Sequence, residues 1–277
     1  MFRIDARLSP RQSKRSTVKE LAGIAVVVLM IAAPAARSQA GDAQKNVPTP
    51  ILLELFTSEG CSSCPPADKL VQEMDTTQPV SGAQLIVLSE HVDYWNHDGW
   101  KDPYSSSSLT ERQIDYVRAL KLKEPYTPQI IVDGTTVLQG DQAQILQSLR
   151  GDVATPKLSL HIDSVNPGAS KAQEISGHID IDNTTDKHNA DVFVAVALGH
   201  AESQVASGEN SGKHLSHVAV VQDIKKIGKL GKNGHFSQDF QVKLNPGTDP
   251  GNVRVIAFVQ EPGPGRVLGA ALWKPAN

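Results

Sequence analysis

Cysteine is scarce in this sequence. Of its 277 residues only two are cysteines, Cys61 and Cys64. Two cysteines cannot build a disulfide scaffold, so the chain has to be stabilised by apolar cores. A bridge between them would close a very short loop and stabilise little. The pair is therefore better explained by its reactivity than by a structural role.

The sequence also lacks a strong excess of charge and the common catalytic signatures. Its formal net charge is −3, which gives no indication of a nucleic-acid or membrane-surface binder. It contains no nucleotide-binding loop, serine-hydrolase elbow or zinc-protease motif. We therefore expect no nucleic acid among its partners.

The apolar run at residues 21–36 is shorter than the roughly 20 residues that usually span a membrane. It follows a segment rich in arginine and lysine, and it ends in small residues. This order is typical of a secretory signal peptide. We assign residues 1–40 to the signal peptide and 41–50 to a linker, and we expect an exported protein, periplasmic or secreted. The alternative is an uncleaved segment that anchors the chain, and this segment would be its only contact with a membrane.

Residues 51–152 predict strands alternating with helices. Apolar strands are expected at 51–56 and 84–89, and the two cysteines lie between the first strand and an amphipathic helix. A capping box at Ser108–Glu111 opens a second helix. Two short strands joined at Asp133-Gly134 and a helix capped by Asp141 complete the segment.

A strand, a C-x-x-C pair and a helix in this order are the redox arrangement of thioredoxin-like folds. Thr127-Pro128 occupies the position at which that fold has a cis-proline loop facing the cysteines. We therefore predict an α/β thioredoxin-like domain at residues 51–152.

From residue 153 the sequence changes to short apolar runs, several of them alternating, separated by Asn, Gly, Pro and Asp. Seven such runs and no amphipathic helix predict an all-β, sandwich-like C-terminal domain at residues 153–277. The runs are Leu158–Ile162, Glu174–Ile181, Val192–Leu198, Val218–Lys225, Phe236–Val242, Val253–Val259 and Val267–Leu272.

Four motifs resemble a bacterial exported family catalogued as domain of unknown function 1223, within the thioredoxin-like superfamily. They are Glu54–Asp68 with both cysteines, His91-Val92-Asp93-Tyr94-Trp95, Gly99–Pro103 and Tyr126–Gln129. Gly208-Glu209-Asn210 and the run from Val267 extend the resemblance towards the C-terminus. The resemblance implies a thioredoxin-like fold and a redox-active pair. It leaves the substrate open.

The cysteines give the first hypothesis, an exported thiol–disulfide oxidoreductase. Cys61 would be the attacking thiolate and Cys64 the resolving thiol, since a helix N-terminus lowers a thiol pKa. No lysine or arginine adjoins the pair and Glu59 precedes it, which argues against a very low pKa unless folding brings a base near. The resemblance implies that Thr127 and Pro128 bind the substrate chain. The partners would be protein thiols or disulfides, or a redox partner protein, and no cofactor beyond the disulfide is expected.

Other residues near the pair leave alternatives open. His91, at a strand end, could complete a copper or zinc site with Cys61 and Cys64, which makes a metal carrier the second hypothesis. Asp93 could orient His91 or carry a proton, and Trp95 and Trp100 are candidates for substrate docking. A binding protein without enzymatic activity is the third hypothesis. His214 and His217 are interpreted as residues of a surface loop rather than as metal ligands.

Overall fold

The computed structural model describes residues 47–166, 173–182, 189–231 and 234–275, so the predicted signal peptide lies outside the described residues. These ranges contain three α-helices, α1 (Pro65–Thr77), α2 (Ser107–Ala119) and α3 (Gln142–Asp152). The eleven strands are β1 (Thr49–Thr57), β2 (Ala83–His91), β3 (Gln129–Val132), β4 (Thr136–Leu138), β5 (Leu160–Asn166), β6 (Glu174–Ile181), β7 (Asp191–Gln204), β8 (His214–Lys229), β9 (Phe236–Lys243), β10 (Val253–Gln260) and β11 (Val267–Trp273). No helix in the described ranges is long and apolar enough to cross a membrane.

Eight strands form one mixed sheet in the order β11-β10-β7-β8-β2-β1-β3-β4, and β5, β6 and β9 form a small antiparallel sheet. β1 runs parallel to β2 and antiparallel to β3. β8 continues the sheet at the other edge of β2, where Ser89 and Val220 pair in parallel. Strands from both sides of residue 152 therefore share one sheet.

The predicted fold class, a thioredoxin-like α/β domain followed by an all-β sandwich, is wrong. The described chain is mostly β, with a large mixed sheet and a small second sheet, and its three helices lie against only part of the large sheet. The seven predicted C-terminal strands exist, but four of them (β7, β8, β10 and β11) extend the sheet of β1 and β2. β2 would otherwise expose an unpaired edge, which β8 covers.

The apolar cores show the same continuity. α1 and α3 cover one face of β1 and β2, and that cluster also includes Val218 and Ala219 of β8. A second cluster joins Leu52 of β1 and Ile86 of β2 to Phe258 of β10 on the opposite face, where α2 packs. The small sheet packs on β7 and β10. Burial on both faces explains why β10 is apolar along nearly its whole length.

Most of the helix caps and turns predicted in residues 51–152 are present in the structure. Asp141 caps α3, with its carboxylate accepting from the N–H of Gln144. Asp133 and Gly134 both have positive φ, 47° and 75°, as a two-residue hairpin turn requires. The start of α2 was predicted two residues late, because its cap is Ser106 and not Ser108.

A buried charged group lies under α2, on the face opposite α1. Arg112 donates through Nε to Glu54 at 2.8 Å and lies 3.5 Å from the carboxylate of Glu90. Tyr116 donates its hydroxyl to Glu54. Burial raises the pKa of Glu90 well above its usual value, and the neighbouring Glu54 raises it further. Arg112 is the cation that holds these carboxylates inside the protein.

Candidate functional site

Cys61 and Cys64 are joined in a disulfide between β1 and α1. Cys64 is the N-cap residue of α1, because Pro65 and Pro66 occupy the first two helical positions. The carbonyl of Cys64 accepts from the N–H groups of Ala67 and Asp68 at 2.9 and 3.1 Å. α1 therefore begins at Cys64, and the positive end of a helix favours a thiolate at such a position.

Both cysteines are fully buried, whereas Ser62 and Ser63 between them are exposed. The loop that joins β7 to β8, residues 205–213, is hydrogen-bonded to this turn, and we call it the cover loop. Its Asn210 donates through Nδ2 to the carbonyls of Glu59 and Cys61, at 2.8 and 2.9 Å. The N–H of Ser62 donates to Glu209 at 3.1 Å. The backbone of the cysteine turn is therefore hydrogen-bonded to a segment more than 140 residues away in the sequence.

Trp95 lies beside the turn that precedes Cys61. A Cβ at Gly60 would be 2.9 Å from the Cβ of Trp95, so the close approach requires glycine here. Trp95 donates its indole N–H to the hydroxyl of Thr127 at 2.8 Å. The Thr127–Pro128 peptide is cis, and it lies at the end of β1 because the next residue, Gln129, pairs with Phe56. Trp95 thus connects the cysteine turn to Thr127 and Pro128.

Trp100 also contacts the same turn. Its indole N–H donates to Glu59 at 2.8 Å. Its Cβ would be 3.1 Å from a Cβ at Gly208 of the cover loop. Both tryptophans proposed for substrate docking are half-buried and use their N–H groups inside the protein.

Five buried ionisable residues surround the disulfide turn, and we call them the His217 cluster: Glu59, Asp68, His91, Asp102 and His217. His217 Nε2 lies 3.3 Å from Glu59 Oε1, and its Nδ1 lies 3.7 Å from Asp68 Oδ1. The His91 ring meets the His217 ring edge-on, with centroids 4.7 Å apart. Asp102 lies 2.7 Å from His91 Nδ1 and accepts the N–H of Glu59 at 2.8 Å.

The charges of the cluster follow from these contacts. Burial alone would lower the pKa of His217, but its contacts with Asp68 and Glu59 raise it to about 9. His217 is therefore an imidazolium at neutral pH. Burial alone would raise the pKa of Asp102, but His91 and the N–H donors of Glu59 and Tyr104 hold it below its usual value. A cation and several carboxylates thus lie within one desolvated network.

Asp93 does not contribute to this network. Its carboxylate accepts from the hydroxyl of Thr110 at 2.7 Å, and its N–H donates to the same hydroxyl. The carboxylate that orients His91 is Asp102, eleven residues further along the chain. Asp93 instead ties the segment after β2 to α2.

The arrangement of the cysteines also bears on the metal hypothesis. Sulfurs joined in a disulfide offer no thiolate to a metal ion. Across the described ranges, no three His, Cys, Asp or Glu residues are grouped so that they could hold a metal ion. His91 is engaged through Nδ1 with Asp102.

Sequence reasoning missed His217, Asp68, Asp102 and Asn210. His214 and His217 were assigned to a surface loop, but both belong to β8, where His214 is exposed and His217 is buried. The alternation of the strand separates the two, since Leu215 and His217 share the inner side. Asp68 could have been predicted to lie near Cys64, because it follows Cys64 by four residues and so lies on the same helix face. Nothing local indicated that β8 would lie beside the cysteines.

Comparison with known proteins identifies the family. Residues 52–260 match the protein family described as "Protein of unknown function (DUF1223)". The chain belongs to this family. The matched range includes the disulfide, the His217 cluster and the cover loop, so the resemblance to domain of unknown function 1223 is confirmed. No functionally curated protein matches the chain.

Among solved structures, the chain is similar to a protein of Agrobacterium tumefaciens whose crystal structure comes from a structural genomics consortium. The two are 26% identical, the match covers 83% of this chain and 96% of the other, and the TM-score is 0.63. A domain of the outer membrane lipoprotein Omp28 of Porphyromonas gingivalis is 13% identical, with 43% and 88% of the chains covered and a TM-score of 0.26. So low a TM-score supports no argument about this DUF1223 protein.

Proposed function

We propose that this DUF1223 protein is a thiol–disulfide oxidoreductase that uses Cys61 and Cys64 and acts on protein thiols or disulfides in an exported compartment. The observation that supports this most is the position of the disulfide, at the N-terminus of α1 and beside a buried imidazolium. Perturbed ionisable groups of this kind concentrate at functional sites.

The size of the disulfide loop supports a chemical rather than a stabilising role. The two cysteines are separated by three positions, and closing so short a loop contributes about 2 kcal/mol through chain entropy, against roughly 5 for a loop of 100 residues. The His217 cluster adds a further cost, because buried charges have to be taken out of water. A purely structural bridge would need no such surroundings.

In the exchange, a partner thiolate attacks the Cys61 sulfur and forms a mixed disulfide. The Cys61–Cys64 bond breaks, and its electron pair leaves on the Cys64 sulfur. A second thiolate of the partner then attacks the partner sulfur of the mixed disulfide, so that the partner becomes a disulfide and Cys61 is released as a thiolate. In the reverse direction, the reduced Cys61 and Cys64 are oxidised to the disulfide, and the disulfide of the partner is reduced to two thiols.

Access is part of the proposal because both sulfurs are covered. The exposed Ser62 and Ser63 mark the side from which a partner would approach. The cover loop has to release Ser62 and the carbonyls of Glu59 and Cys61 before a substrate sulfur can reach Cys61. Thr127 and Pro128, at the adjacent edge of β1, would then bind the substrate chain.

The test is trapping of a mixed disulfide. Cys64→Ser removes the resolving thiol, so its Cys61 should capture an unfolded, disulfide-containing protein as a stable adduct that thiols release. Cys61→Ser is the matched control and should capture much less, because its remaining sulfur is Cys64. Equal capture by both variants, or capture by neither, would contradict the roles proposed here.

A further inference from the structure

The buried carboxylate of Asp68 has no assigned role and no hydrogen-bond partner. Among the described residues, neither of its oxygens has a partner within hydrogen-bond distance, although the side chain is 5% exposed. The nearest cation is His217, with Nδ1 at 3.7 Å from Oδ1. Asp68 lies four residues after Cys64 in the first turn of α1, which places the two side chains on one helix face.

His217 is fixed from several elements at once. Glu59 faces it from the turn after β1, Asp68 from α1, His91 from the end of β2 and Tyr104 from the segment before α2. Of these, Glu59 and Asp68 contact its ring nitrogens. Glu59 is two residues before Cys61 and Asp68 is four after Cys64, so one imidazole connects both flanks of the disulfide.

We propose that Asp68 is the proton carrier for the Cys64 sulfur and that His217 is the positioning residue that supplies Asp68 with charge and protons. This inference rests on the proposed function, because it assigns roles within the same exchange reaction. It extends the site to β8, on which sequence reasoning placed no functional residue.

The proton balance is as follows when a partner dithiol is the reductant. As the Cys61–Cys64 bond breaks, the His217 imidazolium passes a proton to the Asp68 carboxylate, and the Asp68 carboxyl so formed passes its proton to the Cys64 thiolate. His217 then takes a proton from solvent. The partner loses two electrons and becomes a disulfide, and its two thiol protons go to solvent. When the protein is oxidised the same protons leave in the opposite direction.

His217 matters most as the cation of the cluster. Without it, a thiolate on Cys64 would form close to two buried carboxylates, and this would raise the pKa of the leaving thiol. A leaving thiol of higher pKa departs more slowly. Loss of the His217 proton at high pH should have the same effect as its substitution, and the pKa of His217 is raised to about 9.

The test is the rate of disulfide reduction by dithiothreitol between pH 6 and pH 10, divided by the concentration of the reagent's thiolate. For the wild-type protein this rate constant should be level at neutral pH and fall through about pH 9. Asp68→Asn should be slower by on the order of 100-fold at pH 7. His217→Gln should be slower by roughly tenfold, and its profile should lack the fall near pH 9.

Two controls separate chemistry from folding. His214→Gln changes an exposed histidine on the same strand and should reproduce the wild-type profile. The double variant Asp68→Asn/His217→Gln removes the ion pair as a unit, so it shows whether an unpaired buried charge causes the slow exchange of the single variants. It should be no faster than Asp68→Asn, and recovery to the wild-type rate would overturn the proton-carrier role.

Failure of this inference can be distinguished from failure of the proposed function. If the wild-type disulfide reacts no faster than oxidised glutathione at every pH, both are overturned. If it reacts rapidly but His217→Gln keeps the fall near pH 9, or Asp68→Asn reacts like wild type, only the assignment of Asp68 and His217 is overturned.

Discussion

Replacement of His217 by glutamine should remove a specific part of the pH dependence of stability. In the folded protein the pKa of His217 is about 9, against 6.5 for an unperturbed histidine. A group whose pKa is raised by folding binds its proton more tightly in the folded state. Its contribution is therefore complete below pH 6.5 and is lost as the pH rises through about 9.

The magnitude follows from the difference between the two pKa values. About 2.5 pKa units at 1.4 kcal/mol each correspond to roughly 3 to 4 kcal/mol, most of which is lost between pH 6 and pH 10. The wild-type free energy of unfolding should therefore fall by about 3 kcal/mol more than that of His217→Gln between pH 6 and pH 10. Glu90, whose pKa is also raised, weakens both proteins with rising pH, so its effect cancels in the difference.

The assay is urea unfolding of the oxidised proteins, followed by far-ultraviolet circular dichroism at intervals of half a pH unit. His214→Gln is the matched control and should follow the wild type, since its side chain is exposed. If the wild-type and His217→Gln curves run parallel over the whole range, His217 does not hold its proton between Glu59 and Asp68, and the electrostatic account of the site fails.

Three further substitutions test other parts of the structure. Arg112→Ala should lower the free energy of unfolding by about 4 kcal/mol, because it leaves buried carboxylates without a cation. The control Arg118→Ala, at an exposed arginine, should change this free energy little. A loss below about 1 kcal/mol for Arg112→Ala in urea titrations would contradict the prediction. Asn210→Ala removes two hydrogen bonds that hold the cover loop and together stabilise it by about 2 kcal/mol. Reduction of the disulfide by small thiols should therefore be roughly 30-fold faster. An unchanged rate would show that the loop does not limit access to the disulfide. Gly134→Ala should lower the free energy of unfolding by at least about 2 kcal/mol, because φ is +75° and a Cβ would lie 2.2 Å from a carbonyl oxygen. A Cβ at Gly151 in α3 would meet no atom, so Gly151→Ala should leave stability unchanged or raise it. Equal melting temperatures of the two variants would contradict this.

The local elements could be predicted because their signals are local. The strand at Glu174–Ile181 was predicted at its observed bounds from alternation alone, and Asp141 was recognised as a helix cap. Sequence patterns of this kind report which face of a segment is buried. They do not report which other segment buries it.

The sheet shows where this limit lies. β8 pairs with β2 although more than 120 residues separate Ser89 from Val220. The sequence of neither strand indicates which other strand it pairs with. Runs of apolar residues in β10 are equally consistent with a separate sandwich and with a shared sheet. The predicted fold class was wrong at this step, although the seven strands that the structure describes after residue 152 had all been predicted.

The residues of the candidate site also fall into a group that the sequence could predict and a group that it could not. Cys61, Cys64, Trp95 and Thr127 could be assigned to one site from their motifs and from the order of the predicted strands and helices. His217 and Asn210 could not, because they reach the disulfide only through the pairing of β8 with β2. The sequence argued against a very low cysteine pKa unless folding brought a base near, and β8 brings the His217 imidazole, which its carboxylate neighbours hold in the protonated form.

The reduction potential of the Cys61–Cys64 pair tests the central claim most directly. It is measured by equilibrating the protein with glutathione buffers of known ratio and counting alkylated thiols by mass spectrometry. We predict a value between about −270 and −120 mV, the range of proteins that exchange disulfides. A value below about −300 mV, where structural disulfides lie, would contradict the account.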